Sequence, residues 1–310
     1  MIVTLLGTGS PTPTLDRFGP CALVQAGGQV LMFDAGRGAT IRMRQLRVQL
    51  AKIDALFLTH YHSDHTSGIP DVWLTRWIAF SEAAKATTPF NVIGPTGAKE
   101  LMFHLEKAYA ADIKIRAQDI PPKDPKGITI TVQEFDRDGV VYERAGVKVT
   151  AFEVDHGPAA KPAYGYRIEH EGRSAVLSGD TTYNENVVKY ATGCDLLVHE
   201  VACAKPELMG DAHFQRIMSH HTIPSMAGKV FARAKPKMAA YTHFILRSTA
   251  QVPAPSLDEV MAQTRETYGG PVELGEDLMS FEIGEEIAIQ KYRVPSRSAD
   301  GRSDAEVFAP

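Results

Sequence analysis

The sequence predicts an α/β fold. Short apolar, β-branched runs alternate with helix-like stretches along most of the chain. Clusters of histidine and aspartate fall at or just beyond the ends of several of those runs, where a rigid sheet can aim ligands without disturbing a core. In order, strands are expected at Val3–Leu6, Gln29–Phe33, Ala55–Thr59, Phe90–Ile93 and Ile128–Glu134. They continue at Val147–Glu153, Gly165–Glu169, Ser174–Ser178, Asp195–His199 and Met238–Thr242. Glu171-Gly172 reads as a hairpin turn between two of them. Lys99–Ala111 is an amphipathic helix with Leu101, Met102, Leu105, Ala108 and Tyr109 on one face. Ser256 and Glu259 form a capping box that opens a helix from Leu257 to about Tyr268. No repeat at solenoid spacing and no coiled-coil pattern interrupts this series.

Composition narrows the function classes. With 44% hydrophobic and 23% charged residues, the chain is an ordinary globular protein with material for a sizeable core. No apolar stretch approaches the ~20 residues needed to span a bilayer, and no leader-like pattern opens the sequence. Cys21, Cys194 and Cys203 are too few and too scattered for a disulfide framework or a cysteine metal knuckle. The expectation from these features is a cytoplasmic protein with no membrane partner. The net charge of -4 argues against a uniformly basic surface. From Ala212 to Leu257, however, there is no acidic residue, while Arg216, Lys229, Arg233, Lys235, Lys237 and Arg247 are all present. That stretch is either a solvated helix face or a positive field that attracts an anionic substrate. Pro295–Pro310 is polar and reads as a disordered tail behind a single domain of residues 1–294.

The segment Thr59 to His65 (THYHSDH) puts three imidazoles and a carboxylate within six positions, as H-x-H-x-D-H. Imidazole nitrogen and carboxylate oxygen are the ligands that zinc and similar divalent metals prefer. In extended chain His60 and His62 face the same way. Asp64 and His65, beyond a turn, can face a second point. One short loop could thus serve two metals. A repetitive, weakly binding histidine tract would lack the interposed aspartate and the strand behind it.

This motif resembles the signature of the metallo-β-lactamase superfamily, and other segments follow that superfamily's order. They are Leu5-Leu6-Gly7-Thr8-Gly9-Ser10, Leu31-Met32-Phe33-Asp34-Ala35-Gly36, Val154-Asp155-His156-Gly157 with Gly165-Tyr166, Ser178-Gly179-Asp180-Thr181, and Thr242-His243-Phe244. Val198-His199-Glu200-Val201 and His221-Thr222 resemble the paired motifs of the ribonuclease Z and zinc arylsulfatase branch. The match there is imperfect: this chain has HEVA and HTI where the branch often shows HEAT and HST.

The resemblance implies a four-layer αββα sandwich, the metallo-β-lactamase fold, with the site at one edge. It implies that His60, His62 and His156 hold one divalent metal, that Asp64, His65 and His243 hold a second, and that Asp180 bridges them. Zinc is the first expectation, with manganese or iron as alternatives. Two ions about 3.5–4 Å apart would acidify a bound water and supply hydroxide as the nucleophile, which Asp64 could also orient. Glu200 and His221 would deliver a proton to the leaving oxygen, with His220 as the rival imidazole and His199 as a buried partner. Asp34 and Thr59 would orient the ligand loop. Taken singly, His156 is a surface turn, Asp180 a helix cap and His243 a core histidine; the joint pattern carries the assignment. His104 falls on the polar face of its helix, His170 beside the hairpin turn and His213 in a loop. Trp73 and Trp77 are either core or a wall beside the metals.

The activity so implied is hydrolysis of an anionic ester, a phosphodiester or aryl sulfate, by a binuclear centre. Lactone or β-lactam opening is the nearest alternative. An iron oxidoreductase of the same fold is a third, although di-iron members usually replace the second histidine of the motif, and His62 is retained. A catalytically dead interaction subunit would have lost ligands. The expected partner is a small anionic ester, with a homodimer left open. Precursor tRNA is expected to be disfavoured, because the stretch from Gly157 to Gly179 has no room for a basic tRNA-binding arm.

Overall fold

The structure, a computed structural model, describes residues 1–78, 86–119 and 125–292. The tail expected at 295–310 lies outside the described residues. The first sheet takes strands β1 (Ile2–Gly7), β2 (Cys21–Ala26), β3 (Gln29–Phe33), β4 (Ala55–Phe57), β5 (Phe90–Pro95) and β6 (Ile130–Phe135). The second takes β7 (Gly139–Arg144), β8 (Val147–Glu153), β9 (Tyr164–His170), β10 (Arg173–Leu177), β11 (Leu196–Cys203), β12 (Met238–Leu246) and β13 (Val272–Leu274). The chain then returns to the first sheet as β14 (Met279–Ile283) and β15 (Ile287–Lys291), giving the order β15-β14-β1-β2-β3-β4-β5-β6. The second sheet runs β13-β12-β11-β10-β9-β8-β7.

Alternation along the strands builds the layers. In β8, Val147, Val149 and Ala151 point between the sheets, and Phe152 points outward. The inner faces meet in one apolar cluster, where Phe33 stacks on Phe57 with centroids 4.7 Å apart and Tyr166 packs edge-on at 5.6 Å. Outside the first sheet lie α1 (Ala39–Gln45), α3 (Ile69–Ile78) and α4 (Ala98–Ala108), with Met43, Trp73 and Met102 buried beneath them. Outside the second lie α6 (Glu185–Ala191), α8 (Pro224–Ala234) and α9 (Leu257–Arg265), with Val187, Phe231 and Val260 buried. The αββα sandwich is therefore present. Each fully buried Leu or Phe contributes about 1.5–3 kcal/mol, and the three apolar layers between and outside the sheets share that gain.

The antiparallel strands lead into a parallel run in both sheets, β3 to β6 and β10 to β13. The carboxyl ends of β4, β8 and β10 open at one edge, and the ligand loops follow them. The Glu171-Gly172 turn joins β9 to β10 as expected, with φ of 48° and 73°. The Ser256–Glu259 capping box is formed.

Several expectations differ. The helix over Lys99–Ala111 ends at Ala108, and α5 (Ala110–Asp119) starts after a break at Tyr109, whose φ of -100° is not helical. His213 sits in α7 (Ala212–Met218), capped by the Asp211 side chain, and not in a loop. Trp73 and Trp77 are core: Trp73 is fully buried and donates Nε1–H to the Ile128 carbonyl. No expectation covered β2, β7, β13, β14 or β15. β7 and β15 carry exposed residues on both sides of their alternation, and pairing with β8 and β14 makes them strands.

Candidate metal centre

The loop after β4 stays extended through His62 (φ -61°, ψ 146°) and then winds into the one-turn helix α2 (Ser63–Thr66). That switch from extended to helical chain is what divides the motif. His60 and His62 are thrown to one point, with Nε2 of the first 2.9 Å from Nδ1 of the second. His156, from the turn after β8, brings its Nε2 to 3.1 Å from the same Nδ1. Nitrogens about 2.0 Å from one tetrahedral ion lie about 3.3 Å apart, so this convergence suits a shared cation.

Hydrogen bonds fix which ring nitrogens face inward. Thr59 Oγ1 donates to Asp34 and so accepts from His60 Nδ1–H, leaving a lone pair on Nε2. His156 Nδ1–H donates to the His220 carbonyl at 2.9 Å, with the same result. Burial pushes the His60, His62 and His156 imidazoles below their ordinary range, with Asp180 opposing and the neighbouring imidazoles adding to the fall. Neutral imidazole is the metal-binding form.

Asp64 and His65 on α2 face the second point together with His243. Asp64 Oδ2 is 3.2 Å from His243 Nε2 and 3.6 Å from His65 Nε2. His65 Nδ1–H donates to Asp34 Oδ2 at 2.7 Å, so its Nε2 carries a lone pair, is buried, and has no hydrogen-bond partner. Burial alone would lower the His65 pKa, yet Asp180 and Asp34 outweigh it and hold it well above the ordinary range. The surrounding carboxylates thus call for a positive charge at that nitrogen, which a metal ion supplies as well as a proton. Asp180 lies between the halves. Its Oδ2 is 3.9 Å from His60 Nε2 and 3.6 Å from His156 Nε2, then 3.4 Å from His65 Nε2 and 3.3 Å from His243 Nε2. Its own burial would raise its pKa, but His243, His65 and His60 drive it well below the usual carboxylate range. The Ser178-Gly179-Asp180 turn needs glycine at its centre: φ is +62°, and a Cβ would sit 2.6 Å from the Tyr164 carbonyl.

His243 differs from expectation. It lies inside β12, not at its end, at a left-handed φ of 47°. The pairing with β11 skips it, passing from Glu200↔Thr242 to Val201↔Phe244. Such a bulge re-aims one side chain out of the sheet's alternation, and here it sends an imidazole into the centre. Glu200 is buried on β11; its Oε1 accepts from Thr222 N–H at 2.9 Å, from Thr181 N–H at 3.2 Å and from His221 Nδ1 at 3.2 Å. Burial opposes charge on His221, and Glu200 outweighs it, so the imidazole is held above its ordinary range. A ring nitrogen of His221 lies with ligand atoms of Asp180 and His243 inside a 4.8 Å cluster. The His220 ring instead packs against Gly157. His199 is buried against Phe231 and hydrogen-bonds the Glu200 carbonyl.

Two groups of side chains could therefore each hold an ion: His60, His62, His156 with Asp180, and Asp64, His65, His243. Residues 30–244 match the family described as the beta-lactamase superfamily domain. Ribonuclease Z of Mycobacterium marinum is 37% identical over 287 residues, covering 91% of this chain and 98% of the relative. Among solved structures, the short form of human tRNase Z superposes with a TM-score of 0.67 at 22% identity, over 92% of this chain and all (100%) of that one. A metallo-β-lactamase fold protein of Bacillus subtilis gives the same TM-score, 0.67, at 19% identity over 90% of this chain and 98% of the other. The two sheets, the site and these relatives define a metal-dependent hydrolase of the phosphodiesterase type. The chain belongs to the ribonuclease Z family of the β-lactamase superfamily.

That membership corrects one expectation from the sequence. Precursor tRNA was expected to be disfavoured, and relatives named ribonuclease Z that align over nearly their whole length overturn this. The chain between His156 and Asp180 is indeed β9, β10 and their turn, but one stretch cannot decide nucleic-acid binding. Phosphate contacts can come from any part of a surface, and a net charge says nothing of where the cations sit. Among the described residues no helix is long and apolar enough to cross a membrane. Cys21, Cys194 and Cys203 are free and buried.

Proposed function

We propose that this chain is a binuclear, zinc-dependent endonuclease that hydrolyses a phosphodiester bond of tRNA. The observation that carries the binuclear reading is the position of Asp180, whose Oδ2 stands 3.3–3.9 Å from ligand nitrogens of both halves. His60, His62 and His156 would hold one ion, Asp64, His65 and His243 the other, and Asp180 would be shared. When bound, such ions supply Lewis acidity to the phosphoryl oxygens and an acidified water for attack. The chain's own residues do the rest. Asp64, 3.2 Å from His243, would accept a hydrogen bond from the attacking water and orient it. His221, held by Glu200 at 3.2 Å, would give a proton to the leaving ribose oxygen, a poor leaving group that needs one. Two backbone N–H groups fix the Glu200 carboxylate, so the imidazole is aimed before substrate arrives.

Two measurements test this reading. Elemental analysis of the purified protein should give two zinc ions per chain; full activity with one would sink the binuclear reading. A tRNA carrying a 3′ extension should be cut, with an apparent affinity that falls steeply as salt rises. Turnover of aryl sulfates with no cleavage of tRNA would replace the phosphodiester reading with a sulfatase.

A further inference from the structure

Asp277 stands in the turn before β14, beyond residues 30–244 matched to the superfamily domain. Its carboxylate is almost wholly buried, and the hydrogen bonds it receives tie the β1–β2 connection together. Oδ1 accepts from the Thr8 N–H at 2.8 Å and the Thr8 hydroxyl at 2.7 Å. Oδ2 accepts from the Phe18 N–H at 2.7 Å and from Arg42 at 2.9 and 3.2 Å. The two ends of the connection, Thr8 and Phe18, therefore hang on one side chain. Gly9 N–H to the Phe18 carbonyl, at 2.7 Å, closes its neck.

The connection reaches the metal centre through Thr8. Its carbonyl accepts from the Phe244 N–H at 3.0 Å, and Phe244 is the residue directly after the bulged His243. Arg17, from the same connection, donates to Thr8 Oγ1 at 2.6 Å and to the Gly275 carbonyl at 2.7 Å. Its guanidinium lies 4.1 Å from the centre of the Phe244 ring. A left-handed non-glycine residue such as His243 persists only where its surroundings over-determine it. The path Asp277–Thr8–Phe244 supplies that constraint on one side of the bulge. Among the described residues no comparable hydrogen-bonded path links Asp277 to His60, His62 or His156; Thr59 holds the His60 ring and the His220 carbonyl the His156 ring.

We propose that Asp277 is a positioning residue for His243, setting the geometry of the Asp64–His65–His243 half and leaving the other half untouched. The consequence for metal affinity rests on the binuclear reading above; the positioning itself does not. The test is Asp277→Asn, which keeps the shape but turns an amide NH₂ toward donors whichever way it flips. In the metal-free protein, amide exchange at Phe244 and in residues 9–18 should quicken about tenfold, the loss of roughly one hydrogen bond to a charged group. Residues 55–62 and 173–180 should keep their wild-type rates. In a zinc titration one equivalent, that of the Asp64–His65–His243 half, should weaken about 10–100-fold while the other is unchanged. Exchange that is unaltered around Phe244, or that rises equally throughout the chain, overturns the proposal. A wild-type protein that binds a single zinc would sink the binuclear reading, and the exchange rates would still decide the role of Asp277. Thr8→Val removes only the hydroxyl link, so it serves if Asp277→Asn does not fold. It should quicken exchange at the same amides by a smaller factor, and no change there again overturns the proposal.

Discussion

The two halves of the candidate centre are held in different ways. His60, His62 and His156 form a neutral nest: a threonine hydroxyl and a backbone carbonyl choose the inward nitrogens of His60 and His156, and burial holds all three rings below their ordinary range. Asp64, His65 and His243 form a charged nest, in which Asp34 holds His65 Nδ1 while the Asp64 and Asp180 carboxylates face its Nε2, a nitrogen with no hydrogen-bond partner of its own. Each half takes two ligands from the same loop and one from a remote segment, but only the second half's remote ligand, His243, sits on a bulge that must be held in place. Substitutions should separate them.

The largest effect belongs to the residue common to both. Asp180→Ala removes the carboxylate that reaches each half. Losing several kcal/mol of metal-centred stabilisation corresponds to about 10⁴-fold in rate. Metal content should fall in both halves. A variant that retains two zinc ions and near-normal turnover would show that the halves do not share it.

That contrast also explains how much was legible in the sequence. The H-x-H-x-D-H segment announces itself because its ligands are neighbours, and the strand behind it forms, although it ends at Phe57 and not at Thr59. Strands with strong alternation, such as Val147–Glu153, coincide with the structure end to end. His243 was recognisable as a site residue only through the resemblance, and its bulge was not foreseen. A positive φ at histidine is imposed by the register with β11 and leaves no mark on composition. Asp277 carried no signal at all. It is a lone aspartate whose partner Thr8 is 269 positions away, and only the folded chain brings them together.

Next in size is proton delivery. His221→Ala should slow phosphodiesters with an alkoxide leaving group by about 10²–10⁴-fold, while nitrophenyl esters, which leave unaided, should lose far less. Equal losses on both would point to a structural role for the Glu200–His221 pair. His220→Ala should leave that difference between substrates in place, since the His220 ring packs on Gly157 and its backbone carbonyl, not its side chain, holds His156.

Asp34 offers a way to perturb the halves together from outside. One of its oxygens takes the His65 Nδ1–H directly, and the same oxygen takes the Thr59 hydroxyl that in turn sets His60. Asp34→Asn should weaken zinc binding by about 10–100-fold. The charged half should lose more, because its contact is direct. Equal weakening in both halves would show that Thr59 transmits the change in full.

The smallest effect serves as the control, at the opposite end of the second sheet. Asp195, just before β11, is buried and accepts from the Ser174 N–H at 2.7 Å, with Lys237 also at 2.7 Å. Burial pulls its pKa up, but Lys237 and the Ser174 N–H outweigh this and hold it below the ordinary carboxylate value. A depressed folded pKa means that its stabilisation is complete above the unfolded value of about 3.9 and is lost as pH falls through the folded one. Asp195→Asn should therefore cost about 1–2 kcal/mol of stability at neutral pH. The gap between variant and wild type should begin to narrow as pH falls below about 4 and should close only below the depressed folded pKa, where Asp195 too is uncharged. Zinc affinity in either half should not change, since these contacts gather at the amino ends of β10 and β11, and the centre lies beyond the carboxyl end of β10. A loss of second-half zinc affinity in this variant would mean that general loosening of the sheet, and not the local path to His243, controls the charged nest.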